Sequence, residues 1–123
     1  MDINIIKVHG SNNDFYLIDE MDTGLPLTDK LRGKLAIAMC SRTNKEGGAD
    51  GILFVLNSET ADARMRVFNA DGSEASMCGN GLRCVGRYVQ EKLQKNNLLI
   101  ETMKANLQVT KEPDIYKLSL IHI

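Results

Sequence analysis

The chain lacks the features that most quickly assign a protein to a partner. Its 15 Lys+Arg offset 16 Asp+Glu, leaving a net charge of -1. No basic patch stands out, which argues against nucleic acid and acidic membrane as partners. No export signal is legible, because strand-like sequence begins at Ile3. The longest strongly apolar run, Ile52-Leu53-Phe54-Val55-Leu56, is far short of a membrane span. The three cysteines, Cys40, Cys78 and Cys84, are an odd number without paired spacing. That predicts reduced thiols in a cytoplasmic protein. Together with His9 and His122 they show no ligand spacing, so no metal is expected. Repeats, low-complexity segments and linkers are missing too. The loop Asn44-Lys45-Glu46-Gly47-Gly48-Ala49-Asp50-Gly51 lacks the Lys-Ser/Thr that must follow the glycines of a phosphate loop.

What remains reads as one domain. Its 123 residues are 43% hydrophobic, enough for a modest core. Ile3 to His9 and Phe15 to Ile18 read as paired strands around a polar turn, His9-Gly10-Ser11-Asn12-Asn13-Asp14. Pro26-Leu27-Thr28 opens a helix with Thr28 as N-cap and Asp29 in the first turn. Leu31, Leu35 and Ala38 or Met39 are its expected buried stripe, and Cys40 at its end is expected to pack. Ile52 to Leu56 and the alternating Ala63 to Phe68 are strands. Asn69-Ala70-Asp71-Gly72-Ser73 is a turn by its Asp-Gly. Asp71 and Glu74 there read as a solvated turn rather than an acid–base pair. Leu98 to Met103, Leu107 to Lys111 and Ile115 to Leu120 complete seven strands. With two helices, one in the middle of the order, the fold class is α+β.

That middle helix, Leu82 to Lys95, organises the rest. Leu82, Val85, Val89 and Leu93 recur at spacings of three and four, an amphipathic pattern. Cys78 falls at or just before its start, and Gly79 and Gly81 occupy its first turn. Each glycine in a helix interior costs about 1 kcal/mol relative to alanine, so two imply that backbone approaches something closely. A helix N-terminus presents free N–H groups and partial positive charge, which bind anions and favour a thiolate. Ser76 to Cys84 thus offers an ionisable sulfur, an adjoining anion site, and Asn80 as donor or acceptor. The alternative is a capped helix with a structural cysteine.

Three ordered blocks carry a resemblance. Met77-Cys78-Gly79-Asn80-Gly81-Leu82-Arg83-Cys84, Lys7-Val8-His9-Gly10-Ser11-Asn12-Asn13-Asp14-Phe15 and Phe68-Asn69-Ala70-Asp71-Gly72-Ser73-Glu74 resemble segments in the N-terminal half of the diaminopimelate epimerases. The resemblance runs from about Ile3 to Leu118, residues 1–118 being the expected domain. It leaves 119–123 as a divergent tail and the C-terminal half of such an enzyme absent. It implies a mixed, barrel-like sheet curled around one central helix, with the active site between two pseudo-symmetric halves. It implies epimerisation of diaminopimelate by two cysteines, one thiolate and one thiol, without pyridoxal phosphate or metal.

On this resemblance Cys78 is one acid/base. The N–H groups of Gly79 and Asn80 hold the α-carboxylate, and Asn13 and Asn69 contact substrate. Some members carry a polar substrate contact where Gly51 stands, so that contact is not carried over. Neither Cys40 nor Cys84 fits the second acid/base. It would come from the missing half, or from Cys78 of a second copy across the cleft, and the chain alone is expected to be inactive. Other readings are another racemase or isomerase of this fold, a thiol redox-sensing module, or a truncated, inactive half.

Overall fold

A computed structural model describes residues 4–10, 12–22, 27–43, 47–112 and 115–121, with side chains for 5–9, 12–22, 27–43 and 47–110. The expectations for Ile3, Pro26, residues 44–46 and His122 lie outside the described residues. In chain order the elements are β1 (Asn4–Gly10), β2 (Asn13–Asp19), α1 (Asp29–Cys40), β3 (Gly51–Leu56), β4 (Ala63–Asn69), β5 (Glu74–Ala75), α2 (Gly79–Leu93), β6 (Asn97–Glu101), β7 (Asn106–Glu112) and β8 (Ile115–Ile121).

The strands form one sheet in the order β1-β2-β3-β4-β6-β7-β8, with the two-residue β5 on β4. Neighbours are antiparallel except β2 with β3 and β4 with β6. The mixed α+β class holds, with one strand more than the sequence pattern reveals. The barrel does not. α2 reaches β1 at one side and β7 and β8 at the other, yet the edge strands stand at opposite ends of an open sheet. The expected tail continues β8 as far as Ile121, opposite Asn106.

Alternation in the strands divides the interior into two cores, one on each face of the sheet. Phe15, Leu17, Leu53, Val55, Met65 and Val67 pack against Leu82, Val85 and Val89 of α2. Tyr16, Ile18, Ile52, Phe54 and Phe68 pack against Ala36 and Cys40 of α1. The stripe expected for α1 is met in part: Leu35 and Met39 pack, partly buried, against this core. Leu31 is 42% exposed, whereas Arg32 is buried with Ala36 and Cys40. The reason is electrostatic: Arg32 Nε and Nη2 donate to Glu20 at 3.1 and 2.8 Å, and its guanidinium lies over Phe54. Thr28 caps α1 as expected, its Oγ1 accepting from Leu31 N at 3.2 Å.

The C-terminal part of α2 is fixed by the buried Asp19, which accepts from Tyr88 Oη at 2.5 Å and Lys92 Nζ at 2.6 Å. Burial works against the charge on Asp19, but these two donors and Met21 N overcome it and hold the carboxyl below its usual range. Burial, then the bond to Asp19, pushes Tyr88 up to about 12. The signs follow from linkage. The Asp19 contribution is complete above the unfolded carboxylate value of about 3.9 and is lost as pH falls toward its folded value. The Tyr88 contribution is complete below about 10 and is lost as pH rises toward about 12. Urea midpoints are expected to fall on both sides of this window. The acid slope should be shallower in Asp19→Asn, and the alkaline slope shallower in Tyr88→Phe; unchanged slopes would remove this anchor.

Candidate active site at the start of the second helix

The strand register gathers the predicted residues at one end of the sheet. Asn13 opens β2, Phe15 faces Gly51 at the start of β3, and Gly51 faces Asn69 at the end of β4. β5 then turns the chain back along β4 and delivers Cys78 to the start of α2. Cys78 is half-buried and is the N-cap. Its backbone is extended, its carbonyl accepts from Leu82 N at 2.8 Å, and Sγ accepts from Gly81 N at 3.4 Å. The sulfur thus occupies the place of the cap oxygen that usually meets the free N–H groups of a helix.

The two glycines of the first turn differ in purpose. A Cβ on Gly81 would lie 2.7 Å from Leu53 Cδ2, so that glycine lets α2 sit down on the core. A Cβ on Gly79 would meet nothing within 4 Å. On that side the first turn of α2 borders open space. The sequence attributes both glycines to one close approach; packing accounts for Gly81, and only Gly79 borders open space.

Asn80 and Asn13, 67 residues apart, meet directly: Asn80 Nδ2 donates to Asn13 Oδ1 at 2.6 Å. Asn69 lies at the same sheet end, but its Nδ2 donates to Ser73 Oγ at 3.1 Å within its own turn. Asn80 and Asn13 thus meet two residues beyond Cys78, and Asn69 lies at the same sheet end on β4, one strand removed from β2. Asp71 and Glu74 do not form a pair. Asp71 accepts from Ser73 N and Oγ, and Glu74 binds Arg66. At Gly51 a Cβ would fall 2.7 Å from Phe68 O, which accounts for glycine there.

Sequence reasoning passed over the groups behind Asn13. Asn13 Nδ2 donates to Asp50 Oδ2 at 3.2 Å. Arg42 Nη2 donates to Asp50 Oδ1 at 3.0 Å, and its two Nη groups fork onto Asp14 at 2.9 and 3.0 Å. The Arg42 guanidinium holds the Asp14 carboxyl well below the usual range. Lys7 adds an ion pair to Asp14 at 3.4 Å. Only the charged residues in the loop hinted at this: Arg42 and Asp50 are eight positions apart, but Asp14 lies 28 positions from Arg42 and Asn13 lies 37 from Asp50.

The other two cysteines stand apart. Cys40 is buried against α1's core, and burial pushes its thiol up. Cys84 lines a groove of about 430 Å³ between β1 and α2, with Ile6, Val8, Arg87 and Tyr88; burial, then Cys78, pushes its thiol up. Among the described residues no group of three His, Cys, Asp or Glu is placed to hold a metal ion. Among the same residues no helix is long and apolar enough to cross a membrane.

Fold and site together define a mixed α+β domain whose second helix is capped by a thiol and flanked by amide side chains. A family model described as diaminopimelate epimerase matches residues 5–118. The chain belongs to the diaminopimelate epimerase family. It is similar to the diaminopimelate epimerase of Clostridium acetobutylicum, 56% identical over 95% of this chain and 35% of that protein. It is also similar to that of Enterococcus faecalis, 50% identical over 94% of this chain and 36% of that protein. The chain thus spans about a third of the length of these relatives. Among solved structures it is similar to a phenazine biosynthesis protein of the PhzF family from Bacillus anthracis, with a TM-score of 0.67 and 26% identity over 88% of this chain and 35% of that one. A PhzF-family protein from Enterococcus faecalis shares the fold, with a TM-score of 0.71 and 16% identity over 94% of this chain and 43% of that one.

Proposed function

We propose that this chain is the N-terminal part of a cofactor-independent epimerase that interconverts LL- and meso-diaminopimelate. The observation that supports it is the thiol of Cys78 over the open first turn of α2, beside Asn80 and Asn13. In this reading Cys78, as thiolate, removes the α-proton from one face of the substrate. A second acid, supplied from outside this chain, returns a proton to the other face. In the reverse direction Cys78 is the donor. Each turnover exchanges one proton at carbon for another, with no net oxidation. Two groups on opposite faces are required, because a single base returns the proton mainly to the side it left.

The N–H groups of Gly79 and Asn80 would receive the α-carboxylate, whose charge rises as the proton leaves. Asn13 and Asn69 would orient the substrate. For Asn69 this requires that its amide leave Ser73. The reading further locates the protein in the cytoplasm and gives it a role in lysine biosynthesis.

The test is a chimera in which residues 5–118 replace the matching segment of the Clostridium acetobutylicum enzyme. In deuterated water it is expected to exchange the α-hydrogen of diaminopimelate, whereas the 123-residue chain alone is not. Exchange by the chain alone would show that the second acid/base lies within it or within a second copy of it. A folded but inert chimera would count against the reading.

A further inference from the structure

We propose that Asp50, held by Arg42, is a positioning residue that sets which way the amides of Asn13 and Asn80 face; the proposal rests on the epimerase reading of the Cys78 site. A carboxamide can turn over, exchanging oxygen for NH2 with little change in shape, so its neighbours decide its polarity. A carboxylate only accepts. Asp50 Oδ2 takes the Asp14 backbone N–H at 3.0 Å and faces Asn13 at 3.2 Å. Asn13 must then turn its NH2 toward Asp50 and its oxygen toward Asn80. Asn80 in turn commits its NH2 to Asn13 at 2.6 Å, leaving its own oxygen as the acceptor available to a ligand.

The relay ends two residues beyond Cys78. Its far end is held by several hydrogen bonds. Asp50 N donates to the Asp14 carbonyl at 2.9 Å, and Arg42 bridges both carboxylates while its Nη1 also donates to Gly47 O at 3.1 Å. A planar guanidinium suits this double duty, because its donors are fixed in a fork.

Asp50→Asn separates this role from simple loop closure. It keeps the shape of the side chain and leaves the Arg42–Asp14 fork in place, but residue 50 can then donate as well as accept. The first measurement uses the 123-residue chain and the side-chain amide resonances of Asn13 and Asn80 in 15N–1H spectra. In Asp50→Asn both are expected to shift, with those of Gln94 and Asn106 unmoved. An unshifted Asn80 resonance would overturn the relay.

The second uses the chimera. Loss of a hydrogen bond to a charged group corresponds to roughly a 10- to 100-fold drop in kcat/KM for Asp50→Asn, with the thermal midpoint little changed. Arg42→Lys should retain more activity than Arg42→Gln. Unaltered kcat/KM alongside a lowered midpoint would reduce Asp50 to a loop clamp. If Cys78→Ser leaves the chimera active, the epimerase reading fails instead, and the amide resonances alone decide the relay.

Discussion

Cys78→Ser in the chimera is expected to lower α-hydrogen exchange by roughly 10²- to 10⁴-fold, the usual range for removing a positioned acid or base. Serine is the informative replacement. It is among the preferred N-cap residues, so its hydroxyl can take over the bond that Sγ accepts from Gly81 N at 3.4 Å. Leu82 N keeps its bond to the residue 78 carbonyl, which is backbone. α2 therefore retains its cap, and the thermal midpoint should stay where it is. What disappears is a group that gives up and regains a proton far more readily than an alcohol does. A full rate in the serine variant would mean that the sulfur serves the helix and not the substrate. A lost rate with a collapsed midpoint would point the same way, and circular dichroism distinguishes it from a specific loss.

Arg32→Ala should be the most damaging substitution for stability. The Arg32 and Glu20 side chains are 4% and 2% exposed and are joined at 2.8 Å. The second bond of the fork is 3.1 Å, and Arg32 Nη1 reaches out to Asp29 at 2.8 Å. Glu20 also accepts from Leu27 N at 2.8 Å, which ties the start of α1 to the end of β2. Removing the arginine takes the cationic partner from a carboxylate buried in the core. Breaking one side of such a pair costs roughly 3–5 kcal/mol, a large share of the 5–15 kcal/mol that holds a typical domain together. For a chain of this size that amounts to a fall of roughly 10–20 °C in thermal midpoint, readable by circular dichroism. The paired replacement Arg32→Met with Glu20→Leu should recover most of it, since two apolar side chains leave no charge behind. A midpoint that hardly moves in Arg32→Ala would show that Glu20 finds another partner or accepts a proton at little cost.

The same residue explains where α1 departs from its apolar periodicity. An apolar template assigns Leu31 to the interior and Arg32 to solvent. Glu20, twelve positions earlier, reverses that assignment, and the most buried line of α1 is Arg32, Ala36 and Cys40, with Leu35 and Met39 partly buried beside it. The Thr28 cap and the Asp71-Gly72 turn were legible because their hydrogen bonds close within three residues. β5 was not, since two residues carry no alternation and only pairing with Val67 and Phe68 makes them a strand.

The order of the seven longer strands and the helices, the buried face of α2 through Leu82, Val85 and Val89 (Leu93, expected on it, is exposed), and Cys78 at its start were determined by the sequence itself. Each depends on propensity, capping or spacing over a single turn or strand. The tertiary structure alone decided that the sheet stays open, that Gly81 serves the core while Gly79 borders open space, and that Asn80 meets Asn13. It alone placed Asp50 and Arg42 behind that pair. These arrangements join groups tens of residues apart, and local pattern carries no information about which distant partner will satisfy a charge or an amide.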